Sequence, residues 1–135
     1  DSTMIVRLYS GNDGQSHFDD LNLPTSEVEP VTIKPGADLT FRRADDGQLI
    51  GAVRQEIHAD DHTHEARTGN EGWHNAPRRQ YVIVLSNHME VRVGDGTVRR
   101  LGPGDVMLAE DFTGQGHISR AVGSPLVWVT VPLSE

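Results

Sequence analysis

Seven histidines and no cysteine bound the chemistry that this sequence could perform. Without thiols, neither a disulfide framework nor a thiolate metal site is available. Imidazole remains, either as a ligand for a transition metal or as an acid–base group near neutral pH. His74 stands in the polar cluster Trp73-His74-Asn75-Ala76-Pro77-Arg78-Arg79-Gln80, which leads directly into an apolar run, and His117 opens a short strand late in the chain. Glu110 and Asp111 precede His117 and could supply a carboxylate, as a ligand or as the group that orients the imidazole. Their ordinary alternative is that of solvated loop acids. Arg78 or Arg79 could clamp a substrate carboxylate through two parallel hydrogen bonds, and for Arg79 a structural salt bridge is the competing role. The cluster Asp60-Asp61-His62-Thr63-His64-Glu65, with His58 before it, reads as a solvated loop, a loose surface metal site or a lid. No phosphate-cradling loop, Gly-x-Ser-x-Gly elbow or His-Glu-x-x-His helix occurs, and Ser119 beside His117 on one strand makes no triad.

Short strands must position these groups. Met4 to Tyr9 alternates apolar and polar residues and predicts a first strand. Ser10 to Asp20 reads as a turn-rich connection and Leu21 to Pro30, with two prolines, as an extended crossing segment. Val31 to Ile33, Leu39 to Arg42 and Leu49 to Ile57 are strand candidates, and Ala59 to Glu71 is polar and aperiodic, a long loop. Tyr81 to Leu85 and Met89 to Val93 read as two strands joined by a turn at Ser86-Asn87, which leaves His88 exposed. Asp95-Gly96 marks a tight hairpin, and Leu126 to Val131 alternates as a closing strand. With no credible amphipathic helix, repeat or second unit, the pattern is that of an all-β sandwich or barrel.

At 135 residues the chain predicts one domain, 4–135, with a core at 39–132 and N-terminal strands and a crossing segment at 4–38. Met4 is taken as the natural start and Asp1-Ser2-Thr3 are set aside. A net charge of −8 argues against nucleic acid. No apolar run reaches membrane-spanning length and no signal peptide is seen, so a soluble, cytoplasmic protein is expected. The basic residues are eleven arginines and one lysine, Lys34. Either arginines occupy fixed, hydrogen-bonded positions or the host favours arginine codons.

His74 to Val131 resembles the cupin superfamily, small double-stranded β-helix (jelly-roll) barrels that commonly carry one metal ion. The first cupin motif, His-x-His followed by Glu and Gly, falls here on His74, Ala76, Gln80 and Asn87. The second, Pro-Gly-Asp followed by a histidine, falls on Pro103-Gly104-Asp105 and His117. Around Trp73 to Gln80 and Glu110 to Arg120 the chain is similar to small bacterial cupins of obscure function. Ala76 and Gln80 replace the second histidine and the glutamate, which removes the strongest ligands. Asn87 is a mild change, since asparagine tolerates positive φ. His62-x-His64 is rejected as the true first motif, because Ala66 to Asn70 makes a poor strand and offers no acid at the required spacing.

The resemblance implies a barrel with His74, Ala76, Gln80, Val82 and Val84 on its inner face and with His117 and Ser119 entering opposite. One reading places a divalent transition metal (Zn, Fe, Mn or Ni) on His74, Gln80 and His117; the other makes the histidines neutral hydrogen-bonding or acid–base groups. The expected function is a small-molecule enzyme of oxygenase, isomerase or lyase type, with His74, His117, Arg79 and Asp111 as catalytic candidates. The alternatives are a non-catalytic small-ligand binding or sensor module with a degenerate site, and a barrel kept as a dimerisation scaffold. A homodimer is expected.

Overall fold

The computed structural model describes residues 3–22, 32–50 and 72–134. It has eight strands among them and no helix, and thus none long and apolar enough to cross a membrane. The strands are β1 (Ile5–Ser10), β2 (Ser16–Leu21), β3 (Thr40–Ala44), β4 (Leu49–Ile50), β5 (Gln80–Val93), β6 (Val98–Leu101), β7 (Val106–Glu110) and β8 (His117–Pro132). They form one mixed sheet in the order β2-β1-β7-β5-β8-β3, with β4 added to β8 and β6 to β5. β1 runs parallel to β7 and every other pairing is antiparallel. Among the described residues the path is open: no pairing joins β2 to β3.

The two longest strands, β5 and β8, pair from Gln80↔Pro132 to Val93↔His117 and carry the core. Val82 and Val84 are buried in the first half of β5; Met89, Val91 and Val93 are buried in the second. That change from even to odd positions has one cause. The register slips around Ser86 and Asn87, and Asn87 takes a left-handed φ of 56°. The expected turn at Ser86-Asn87 is therefore a bulge inside a single strand, and its polar side chains secure it: Ser86 Oγ and Asn87 Nδ2 both donate to the Pro125 carbonyl, at 2.8 and 2.7 Å. Opposite, Gly123 has φ of 85°, and a side chain there would strike Asn87. His88, expected at an exposed turn, is half-buried within β5 opposite Val122.

Asp95-Gly96 forms the β5–β6 hairpin as expected, with Val93 N donating to Thr97 O at 3.0 Å. Pro103-Gly104-Asp105 fastens β7 to its neighbours. Asp105 accepts from Met4 N through Oδ1 and from Gly102 N through Oδ2, each at 2.7 Å, and Gly104 N donates to Val84 O. One further expectation fails. Ser10 to Asp20 is a hairpin rather than a connection: β2 pairs residue for residue with β1, and Gly11 N bonds Gln15 O. β2 lacks apolar alternation because it is the sheet edge, where Asp19 and Asp20 face solvent. Of the Val31 to Ile33 candidate, Val31 lies outside the described residues and Ile33 makes a lone bridge to Leu133. The crossing segment beyond Asn22, most of the Leu49 to Ile57 candidate and the loop with His58, His62 and His64 lie outside the described residues.

The burial pattern makes a stability prediction. Leu126 has no exposed surface whereas Phe41 on β3 is 65% exposed. Leu126→Ala should cost about 2–5 kcal/mol. Phe41→Ser should change stability by no more than about 0.5 kcal/mol. Urea unfolding midpoints of the two variants check the contrast.

Candidate functional site

The site is built where β8 begins. His74 and His117 exchange both backbone hydrogen bonds, His74 N to His117 O at 3.0 Å and His117 N to His74 O at 2.8 Å. This antiparallel bridge sets their side chains beside each other, and the ring centroids are 4.3 Å apart at a 54° tilt. Gly116 permits the approach: its φ is 82°, and a Cβ there would fall on the His74 carbonyl.

Behind His117 lies Asp111, with none of its surface exposed. Its Oδ2 lies 2.7 Å from His117 Nδ1 and accepts from Ser16 Oγ, also at 2.7 Å. Its Oδ1 accepts from Ala76 N at 3.1 Å. Asn75 Nδ2 adds bonds to the carbonyls of Asp111 and Gly114, both at 3.2 Å. Three distant segments, the start of β2, residues 74–76 and the loop before β8, thus converge on one carboxylate. His74 is anchored separately, its Nδ1 lying 3.0 Å from Gly72 O. With both Nδ1 atoms facing oxygen acceptors, Nε2 is the ring nitrogen each histidine has left for a ligand.

Both rings line a cavity of about 890 Å³, within the size range of small-molecule sites. Val82, Met107 and Trp128 supply apolar wall, Ser119 and Thr130 hydroxyls, and Arg42 and Arg78 stand at its rim. Burial is the main reason that the His74 pKa lies below the ordinary histidine value, and the adjacent His117 adds to the effect. The Gly72 carbonyl and Asp111 oppose it without reversing it.

Of the residues singled out from sequence, His74, Ala76, Arg78, Gln80, Val82, His117 and Ser119 line this cavity, whereas Val84, expected on the same face, is buried in the core. Asp111 sits behind His117 rather than in the lining. Arg79 takes the second of its two expected roles, the structural salt bridge, and not that of a catalytic group: it precedes β5 and its Nε bonds Glu110 Oε2 at 2.7 Å. Arg7 holds the other oxygen of Glu110 at 2.6 Å. Burial works to raise the Glu110 pKa, but the two guanidiniums outweigh it and leave it lowered. Glu110 is therefore an ion-pair hub joining β1 to the segment before β5, neither a ligand nor a solvated loop acid. Trp73 is half-buried and outside the lining, and His17 bonds Asp13 at 3.0 Å. The sequence reading missed Ser16, Arg42 and Trp128. Nothing local marks Ser16, whose role depends on the β1–β2 hairpin. Arg42 and Trp128 carried a signal, being a charge and a large aromatic within strand patterns.

No three His, Cys, Asp or Glu side chains among the described residues group around one point. Gln80, the third ligand expected, accepts through Oε1 from the Arg78 guanidinium at 3.0 Å.

No family model matches the chain, and no curated protein matches it. Among solved structures it is similar to a conserved protein of unknown function from Streptococcus pyogenes, at 18% identity and a TM-score of 0.43, over 85% of this chain and 94% of that one.

The depressed His74 pKa fixes a pH dependence. In the unfolded chain His74 protonates near its ordinary value of 6.5, and in the folded protein only at lower pH. Its contribution to stability is therefore complete above about pH 6.5 and is lost as pH falls toward the folded-state value. His74→Asn, which keeps an acceptor-bonding group near Gly72 O, should show a smaller loss of urea midpoint between pH 7.5 and 5.5, roughly the interval over which histidine titrates.

Proposed function

We propose that this chain is an enzyme of isomerase or lyase type that acts on a small organic molecule inside a cupin-like cup, with His117 as its general base. The observation that carries this reading is the 2.7 Å contact between His117 Nδ1 and the fully buried Asp111, at the wall of the cavity. A carboxylate so placed holds one tautomer and one ring orientation and stabilises the imidazolium that forms when Nε2 takes a proton.

The step is a proton transfer. A substrate C–H or O–H bond breaks, its electron pair stays on the substrate, and the proton moves to Nε2 of His117. The same proton returns to a different substrate atom in an isomerisation, or to the departing group in an elimination. His74, kept neutral by burial, offers the adjacent Nε2 as a second acceptor or hydrogen-bond partner. Val82, Met107 and Trp128 keep the reacting region apolar, which strengthens the electrostatic interactions within it. Ser119 and Thr130 give a ligand hydroxyl partners that carry no charge.

A second reading, a binding or sensor module without turnover, draws support from Gln80 and Ala76, the positions that lack strong metal ligands. The two separate by experiment. Purified protein incubated with a metabolite extract should deplete one compound and accumulate another, as followed by mass spectrometry. His117→Gln should slow this by about 10²–10⁴-fold. Asp111→Asn should slow it as well, with wild-type folding by circular dichroism. Turnover unchanged in His117→Gln sinks the enzyme reading. A compound that is bound and never converted favours the sensor. Elemental analysis of protein purified without a metal-affinity tag completes the test, since a stoichiometric metal lost in His74→Ala and His117→Ala would move the chemistry to that metal.

A further inference from the structure

The charges around the cavity are divided in a way the whole chain is not. The chain carries a net charge of −8, yet no Asp or Glu of the described residues lines the cavity. Arg42, Arg43 and Arg78 do. We propose that the cavity takes a small organic anion, with its carboxylate or phosphate group held at the rim by Arg42 and Arg78, an inference that rests on reading this cavity as the substrate site.

Three observations carry it. First, the arginine–carboxylate ion pairs among the described residues belong to Arg7 and Arg79 with Glu110, Arg99 with Asp20, and Arg100 with Glu90. The rim arginines take part in none of them. Second, Arg78 is oriented without being neutralised by any of the described residues. One of its five N–H donors goes to Gln80 Oε1 at 3.0 Å, which steadies the fork and leaves the other donors. Third, β3 has the reverse of the polarity a solvated edge strand would show. Arg42 pairs with Trp128, which lines the cavity, and shares its face with buried Ala44. Phe41 points the other way and is largely exposed. An arginine used only for solubility would sit on Phe41's face, as the alternation places Arg43, whereas Arg42 sits on the cavity's side.

Fork-shaped guanidiniums match the planar carboxylate and the tetrahedral phosphate, and both bind through paired N–H···O bonds. Anchored at the rim, such an anion places the rest of the molecule against Trp128 and the two imidazoles below.

Calorimetric titration at fixed ionic strength tests the assignment with succinate, citrate, benzoate and glycerol phosphate, against the neutral succinamide, benzamide and glycerol. At least one anion should bind while its neutral counterpart does not, and whether the carboxylates or the phosphate ester prevail identifies the group. Arg42→Gln and Arg78→Gln should each weaken that binding about tenfold or more, the loss expected for a charge-assisted hydrogen bond. Arg92→Gln, exposed and outside the cavity, should leave it unchanged. Both rim positions are exposed, so the variants should fold, which circular dichroism checks. Equal binding of neutral counterparts, unchanged binding in both rim variants, or no binding by any anion overturns the assignment. His117→Gln keeps its failure apart from that of the enzyme reading. Anion binding that persists in His117→Gln and in a wild type that turns nothing over upholds the assignment while the enzyme reading falls. Turnover of an uncharged compound upholds the enzyme reading and sinks the assignment.

Discussion

The carboxylate of Asp111 is the constraint from which the rest of the site follows. A fully buried anion is costly unless hydrogen bonds replace the water it has lost. Here Ser16 Oγ, the Ala76 amide and the His117 ring supply them from three parts of the chain. Each donor depends on a different piece of the fold: the β1–β2 hairpin delivers Ser16, the bridge beside Gly116 delivers residues 74–76, and the start of β8 delivers His117. If any one is displaced, a buried carboxylate loses part of the hydrogen bonding that replaces its water, so the segments hold each other in place. The same constraint explains why a residue far from the cavity in sequence, Ser16, bears on it.

The β5–β8 pair solves the related problem of reaching both the cavity and the core with the same two strands. A regular strand buries one set of alternate residues along its whole length. The irregularity at Ser86 and Asn87 changes the set halfway, so Val82 before it and Met89 after it both reach the cavity, while Val84, Val91 and Val93 fill the core. Gly123 and Pro125 on β8 meet the irregularity from the other side: the glycine leaves space for the Asn87 side chain, and the Pro125 carbonyl accepts from both Ser86 and Asn87. Two matched departures from regularity therefore replace what would otherwise be a turn and an extra strand.

These features divide into what local chemistry announces and what only tertiary pairing creates. The Asp95-Gly96 hairpin, the Pro103-Gly104-Asp105 turn and the apolar alternation of β5 and β8 were legible because each follows from backbone preferences or burial within a few residues. The pairing of His74 with His117 was approachable through the spacing of two motif-like segments. β2 was not legible, since an edge strand need not alternate, and Ser16 fell with it. The bulge was read as a turn because both reverse the parity of buried positions, and parity alone cannot tell them apart. The split between Arg78 and Arg79 is legible too, since one step along an extended chain reverses the face and gives Arg79 its salt bridge. Arg78 meets Gln80 at the cavity and Arg79 meets Glu110 outside it. The rim arginine Arg42 was hidden in a strand read only for its apolar members.

The separation of charge within the cavity bears directly on its acid–base chemistry. Cationic guanidiniums at the rim oppose a second positive charge below, as does burial, which already lowers the His74 pKa. An anion bound to those guanidiniums would cancel their field at the rings and add its own. Occupation of the rim, as proposed, would thus ease protonation of the His74 ring relative to the empty cavity. On the proposed reading of the cavity as an anion site, the ligand itself would supply the charge that favours proton uptake at His74.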